Sequence, residues 1–253
     1  MPQFQKFAAR HHSSLTLLLG VLLPLFIFVR LSRELEEDGG FSADAPLLLF
    51  LHRWATPRTD RAVVRLTATA GVKVMPLLAL AVSLGLWRAR RPRQAAFFFL
   101  SVAGSAAIME LVKRGVQRAR PALWVSPAPE RDTSFPSGHS MASSSFALAS
   151  SLLLWPTRWR LPAAGIGFVY AVLIGASRVY LGVHYPSDVL AAWTAAIAWT
   201  AGLYRLMFRK PSGTRPTAAP RERAALSTVS TSLFTRSSAA VLASVLKGSA
   251  RRS

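Results

Sequence analysis

The apolar residues of this chain come in long runs interrupted by charged clusters, without the short periods of an amphipathic soluble helix. Runs of this length predict membrane-crossing helices, because a spanning helix needs about 17 to 25 mostly apolar residues. Allowing for boundary errors of a few residues, we expect an all-α polytopic membrane helical bundle with about six spans. The predicted spans are 15–29, 74–87, 95–112, 141–155, 161–176 and 189–208.

A shorter apolar segment separates the first two predicted spans. Residues 45–54 are too few to cross a bilayer, so we expect an interfacial helix there. We therefore divide the chain into an N-terminal anchor with this helix (1–69), a core that carries the chemistry (70–208), and a flexible basic tail (209–253) rich in Ser, Thr, Ala and Arg. We interpret the first run as an anchor, since bulky, charged residues follow it where a signal sequence would have a small-residue cleavage site.

Basic residues collect in short loops at one predicted end of the spans, which indicates that this end faces the cytoplasm. Both termini are then cytoplasmic, and the opposite ends face outside the inner (plasma) membrane. The long loop between the first two spans also carries arginines on the predicted outer side, although together with an acidic cluster. The residues behind the orientation are Arg88, Arg90, Arg91, Arg93, Arg158, Arg160, Arg209 and Lys210.

The net charge of +20 would suggest nucleic acid as a partner for a soluble protein. Here most arginines lie between apolar runs or in the tail, so we predict no nucleic-acid partner and take the lipid bilayer as the partner instead. The chain has no cysteine, which excludes disulfides, thiolate catalysis and cysteine-bound metals. The sequence leaves the oligomeric state open.

Two cations follow each other at the end of the third predicted span. Lys113 and Arg120 are seven residues apart, close to two helical turns, so on one helix both would project from the same face. Pro121 disfavours helix at Arg120 and lets this side chain bend inward, toward a shared phosphate. Alternatively, such residues anchor a helix end to lipid headgroups, an interpretation that fits Arg114 and Arg118 better.

A Pro-Ser-Gly-His segment, 136–139, precedes the fourth predicted span. Ser137 can cap the helix, Gly138 allows close approach of an anion, and the free N–H groups of the helix start attract phosphate oxygens. His139 would then stand beside the leaving group. The alternative is an ordinary turn with a capping serine and a solvent-facing histidine.

The third segment, 177–188, combines Arg178, His184 and Asp188. Asp188 is near enough in sequence to accept the ring N–H of His184, which would leave the other nitrogen free as a nucleophile. Arg178 offers a two-pronged donor to phosphate. In isolation, Asp188 could merely cap the sixth span. The crowd of cations would repel a metal ion, so we predict no metal and no other cofactor.

The segments 113–121, 136–139 and 177–188, in this order and spacing, resemble the signature of the type-2 phosphatidic acid phosphatase and vanadium haloperoxidase superfamily. The resemblance covers roughly residues 70–208 and is closest to the bacterial membrane lipid phosphatases. It implies a metal-independent hydrolase whose membrane substrate is a lipid phosphate or diphosphate. Candidates are phosphatidate, phosphatidylglycerol phosphate and polyprenyl diphosphates such as undecaprenyl diphosphate.

The resemblance also implies a role for each matched residue. His184 would attack phosphorus to give a phosphohistidine, Asp188 would orient and support it, and His139 would protonate the leaving oxygen and later activate water. The implied phosphate-binding residues are Lys113, Arg120, Ser137, Gly138 and Arg178.

Two other functions remain open at this point. One is vanadate-dependent halide oxidation on the same scaffold, which the apolar spans disfavour because the haloperoxidases of this superfamily are soluble. The other is a non-catalytic membrane protein that binds lipid, which the pair His139 and His184 disfavours.

Overall fold

The computed structural model of this protein describes residues 14–208, and every regular element in that range is helical. The all-α prediction is therefore confirmed, while the predicted basic tail at 209–253 lies outside the described residues. In chain order the helices are a π-helical segment Leu18–Leu22, α1 Leu23–Asp38, α2 Asp44–His52, α3 Pro57–Ala68, α4 Val74–Arg88, α5 Pro92–Val116, α6 Gly138–Leu154, α7 Arg160–Tyr180 and α8 Pro186–Phe208.

Three helices in the described part of the chain are long and apolar enough to cross a membrane. They are Ser14–Glu37, which includes most of α1, then α5 and α7, while the apolar helix α4 is shorter. Helices α6 and α8 coincide with the remaining predicted spans, but α6 is rich in serine. The count of about six spans stays a prediction.

The segment before α4 holds two short helices, of which only the first was predicted. Helix α2 has nine residues, about 13 Å of length, and so is too short to span a bilayer. Helix α3 begins with Pro57 and is capped by Thr56, whose Oγ1 accepts the Thr59 N–H at 3.2 Å. The sequence pattern did not predict α3, because charged and polar residues interrupt its apolar positions and leave no long apolar run.

Close packing of the helices brings the three motifs to one end of the bundle. Gly104 of α5 lies directly against the indole of Trp199 on α8, an approach that only a small residue permits. The N–H of Ser137, just before α6, donates to the Asp188 carbonyl in α8 at 3.2 Å. Lys113 in the last turn of α5 reaches the loop 117–137 that leads into α6.

We expect Gly104→Ala to destabilise the protein by about 1–3 kcal/mol, because the added methyl group would overlap Trp199 in a packed interface. Thermal unfolding of the purified protein in detergent measures the effect. Gly85→Ala is the matched control, since its methyl group meets no atom within 4 Å, and alanine should there be neutral or stabilising by up to about 1 kcal/mol. Equal melting temperatures for the two variants would contradict this packing.

Candidate active site

Four of the sequence-predicted site residues surround a single carboxylate, that of Glu130. Arg120 Nη2 lies 2.7 Å from Glu130 Oε2, and Arg178 Nη2 pairs with Oε1. His139 Nδ1 is 3.8 Å from Oε1, and His184 Nε2 is 3.7 Å from Oε2. Both imidazoles and both guanidinium groups therefore face the same small volume.

Local backbone geometry brings Arg178 and His184 of the third motif close to each other. Arg178 lies in the last turn of α7, and its carbonyl accepts the N–H of His184 at 3.3 Å, so the chain folds back at once. Gly182 makes this turn with φ of 68°, in the left-handed region, and a side chain there would strike the indole of Trp124. His139 is placed by the first turn of α6.

Arg178 is only 1% exposed, and within residues 14–208 one of its N–H donors makes no hydrogen bond. Its Nη1 donates to Thr67 Oγ1 of α3 at 2.9 Å, and its Nη2 pairs with Glu130. Its Nε has no hydrogen-bond partner among residues 14–208. A buried, charged donor without a partner is costly, so this guanidinium is suited to an additional anionic oxygen.

Lys113 and Arg120 both form salt bridges with Asp132 and do not share a helix face. Helix α5 ends before Gln117, whose φ is 49°, so the helix never reaches Arg120 and the same-face expectation is wrong. Both side chains pair with the Asp132 carboxylate. Lys113 therefore lies next to the cluster of four groups without touching Glu130 in this state.

The two acidic side chains of the 117–137 loop are held ionised by their cations. Burial raises the pKa of Glu130, but Arg178, His184 and Arg120 outweigh it, so its pKa lies below the usual value. Burial likewise raises the pKa of Asp132, but hydrogen bonds from lysine and arginine bring it down to about 2. Both groups are carboxylates at neutral pH.

Ser137 and Gly138 stand at the start of α6, as predicted, but the serine hydroxyl does not cap the helix. Ser137 occupies the N-cap position without a side-chain capping bond, and its Oγ accepts a hydrogen bond from Ser140 Oγ at 3.0 Å. The predicted cap is therefore wrong. Because the first N–H groups of any α-helix lack intrahelical partners, the start of α6 still offers donors beside His139.

His184 and Asp188 are adjacent, although not in an ideal hydrogen bond. His184 Nδ1 lies 3.5 Å from Asp188 Oδ2, and Nδ1 has no hydrogen-bond partner within the described range 14–208. Burial lowers the pKa of the His184 imidazole, Asp188 opposes this, and Arg120 adds to the lowering. The ring is consequently neutral at pH 7, the form whose unprotonated nitrogen can act as a nucleophile. That nitrogen is Nε2, because it accepts a hydrogen bond from Arg120 Nη1 at 3.0 Å.

Arg118 is a buried part of the site, and its interpretation as a headgroup anchor is wrong. Its Nη1 donates to Asp188 Oδ1 at 2.6 Å and its Nη2 to Asp44 Oδ2 at 2.8 Å. Its guanidinium also lies 3.9 Å from the centroid of the Tyr185 ring. Arg118 thus links α2 to the first turn of α8. It binds Oδ1 of Asp188, whereas His184 lies next to Oδ2 of the same carboxylate.

Sequence reasoning missed the acidic members of the site, Asp44, Glu130 and Asp132. One signal was available: the chain has only 11 acidic residues against 31 basic ones, so acids near the cationic motifs have a high chance of being paired there. Which acid meets which cation depends on how the loops fold.

The part of the chain that carries the site is similar to a known family. Residues 94–212 match the model of the PAP2 superfamily, the region that holds all three motifs. This match confirms, for residues 94–212, the resemblance drawn from the motifs.

Individual relatives align over part of their lengths. The chain is 42% identical over 73 residues to undecaprenyl-diphosphatase of Sulfolobus acidocaldarius, covering 29% of this chain and 32% of that protein. It is 35% identical over 125 residues to lipid A 1-phosphatase of Rhizobium johnstonii, covering 46% and 48%. The chain thus spans about a third and about a half of the lengths of these two relatives.

A solved structure shares the fold over a longer stretch. The transmembrane PAP2 type phosphatidylglycerolphosphate phosphatase of Bacillus subtilis superposes with a TM-score of 0.67 and 22% identity, covering 75% of this chain and 98% of that one. At this identity the likeness establishes the fold.

We expect Arg118→Ala to destabilise the protein by about 3–5 kcal/mol, because it strands the buried carboxylates of Asp44 and Asp188 without their common counter-charge. Unfolding in detergent measures the loss. Arg114→Ala is the matched control, since Arg114 pairs with Glu110 at 3.1 Å in an exposed setting, where such pairs contribute at most about 1 kcal/mol. Similar losses for both variants would show that Arg118 does not carry the buried network.

Proposed function

We propose that this protein is an integral membrane phosphatase that hydrolyses a lipid phosphate or diphosphate without a metal, through a phosphohistidine. The observation that carries the proposal is the convergence of Arg120, Arg178, His139 and His184 on one anionic group. The names of the relatives, undecaprenyl-diphosphatase and lipid A 1-phosphatase, support a phosphorylated membrane lipid as substrate.

Cations prepare the phosphorus for attack. The guanidinium groups of Arg120 and Arg178 neutralise the phosphate oxygens, and the free Nε of Arg178 adds a donor. Lys113 is the third cation and pairs with Asp132, the carboxylate that also binds Arg120. Ser137 and Gly138 bring the positive end of α6 to the remaining oxygen. Together they stabilise the charge that spreads over the oxygens in the transition state.

The first chemical step transfers the phosphoryl group to His184. Its neutral Nε2 donates an electron pair to phosphorus as the bond to the leaving oxygen breaks, and this oxygen takes a proton from the imidazolium form of His139, which the negative charge of the bound phosphate favours. The lipid leaves as an alcohol or, from a diphosphate, as a monophosphate. The ring of His184 becomes cationic, and Asp188, whose Oδ2 lies 3.5 Å from Nδ1, stabilises that charge.

The second step releases inorganic phosphate. His139, now without its proton, accepts one from a water molecule as the water oxygen attacks phosphorus. The bond between phosphorus and the His184 nitrogen breaks, and its electron pair returns to the ring. Both histidines regain their starting protonation, so the site needs no further reactant.

Which lipid is hydrolysed depends on how the helices pack around the lipid tail, whereas the phosphate chemistry is common to all candidates. Phosphatidate, phosphatidylglycerol phosphate and undecaprenyl diphosphate in detergent form the decisive panel, with a soluble phosphomonoester as the comparison. The preferred lipid is the one with the highest kcat/KM.

We expect His184→Ala to lower phosphate release from the preferred lipid by at least about a thousandfold, since the nucleophile is removed. Arg114→Ala, an exposed substitution outside the site, should keep wild-type turnover. Radiolabelled lipid phosphate should leave a phosphorylated protein after rapid alkaline quenching of wild type, with a label that acid removes because the P–N bond is acid-labile, and no label with His184→Ala. Retained turnover in the histidine variant would refute the mechanism.

The site lies on the extracytoplasmic face in this proposal, and both termini lie in the cytoplasm. The arginine-rich link between α4 and α5 supports that orientation, because basic loops stay inside. Substrate would reach the cluster laterally from the outer leaflet.

The absence of cysteine permits a direct test of the orientation. We expect a membrane-impermeant maleimide to label Val125→Cys in intact spheroplasts, because Val125 is 95% exposed in the loop on the side of the site. Ala89→Cys, exposed between α4 and α5, should be labelled only after lysis. The reverse pattern would invert the proposed topology.

A further inference from the structure

Glu130 occupies the place that the proposed reaction assigns to the substrate. Its two carboxylate oxygens take the contacts of both guanidinium groups, and each oxygen also faces one imidazole, at 3.7 and 3.8 Å. A phosphate held by the same arginines and placed for attack by His184 would overlap this carboxylate. Both anions cannot be bound there together.

The side chain of Glu130 has space beside the cluster of cations. Glu130 belongs to the 117–137 loop and no helix holds it, and its side chain remains 26% exposed. A pocket of about 370 Å³ lined by residues 117–120 and 130–133 adjoins it. Rotation about its side-chain bonds would carry the carboxylate from the arginines into this pocket.

Charge decides which anion holds the cluster. The Glu130 carboxylate carries one negative charge, and its pKa lies below the usual value because the cations outweigh its burial. A phosphate monoester dianion carries up to two charges and more acceptor oxygens, so it competes successfully for the arginines. Inorganic phosphate, the product, would by the same argument remain bound to the cations unless something competes with it.

We infer that Glu130 is an internal substitute for the phosphate group: it pairs with the cations of the empty site, is displaced by substrate, and weakens the binding of inorganic phosphate by competing for the same cations, which speeds product release. The inference rests on the proposed phosphatase site and adds to it a residue that sets phosphate affinity and product release. Glu130 itself forms and breaks no covalent bond.

Two other roles make different predictions for phosphate binding. If Glu130 only tied Arg120 and Arg178 together, its removal would let them separate and weaken the binding of phosphate. If it only relayed protons, its removal would leave phosphate affinity unchanged. The sign of the affinity change therefore separates a competing carboxylate from either alternative.

The test is calorimetric titration of the purified full-length protein in detergent with inorganic phosphate. We expect Glu130→Gln to bind phosphate about tenfold more tightly than wild type, which corresponds to about 1.4 kcal/mol. Phosphate should inhibit the turnover of this variant at a correspondingly lower concentration. Glu110→Gln makes the same chemical change at an exposed position beside Arg114 and should bind phosphate like wild type.

A second substitution keeps the test decisive if the first disturbs the fold. Glu130→Asp withdraws the carboxylate by one methylene, and we expect phosphate affinity between those of wild type and Glu130→Gln. Unchanged or weaker binding by the folded variants, or failure of both to fold, would overturn the inference. Absence of any phosphatase activity together with the expected binding pattern would refute the proposed reaction alone.

Discussion

Charged groups buried at one end of a helical bundle have to be paired, and this constraint organises the whole site. Arg178 is 1% exposed and Asp188 is fully buried, so each needs an opposite charge within the protein. Glu130 serves the first and Arg118 the second. The loop 117–137 delivers both partners, and helix α2 adds Asp44, which pairs with Arg118.

The division of labour between helices and loops follows from the same constraint. Helices α5 to α8 pack closely where one of them carries a small residue, as where Gly104 lies against Trp199, and this packing brings the motifs to one end. The loop then adds acids that match the cations. In this structure the Glu130 carboxylate pairs with Arg120 and Arg178, and in the proposed reaction a phosphate would take over the same contacts.

Helix positions and motif residues followed well from the sequence, because long apolar runs and fixed cation–histidine spacings are local signals. The predictions failed where long-range contacts decide. Arg118 looked like a headgroup anchor until its partner Asp44, 74 residues earlier, was in place. Lys113 and Arg120 share Asp132 because α5 stops between them, and the positive φ of Gln117 that stops it has no clear signature in the sequence.

The sequence by itself determined that the chain is helical, apolar enough for a membrane, and supplied with the arginines, lysine and histidines of the proposed phosphate site, since length, hydropathy and motif spacing are properties of neighbouring residues. Only the tertiary structure decided which carboxylate neutralises which cation. Electrostatic pairing acts through space, and its partners, such as Glu130 with Arg178, come from elements whose distance along the chain carries no information about their contact.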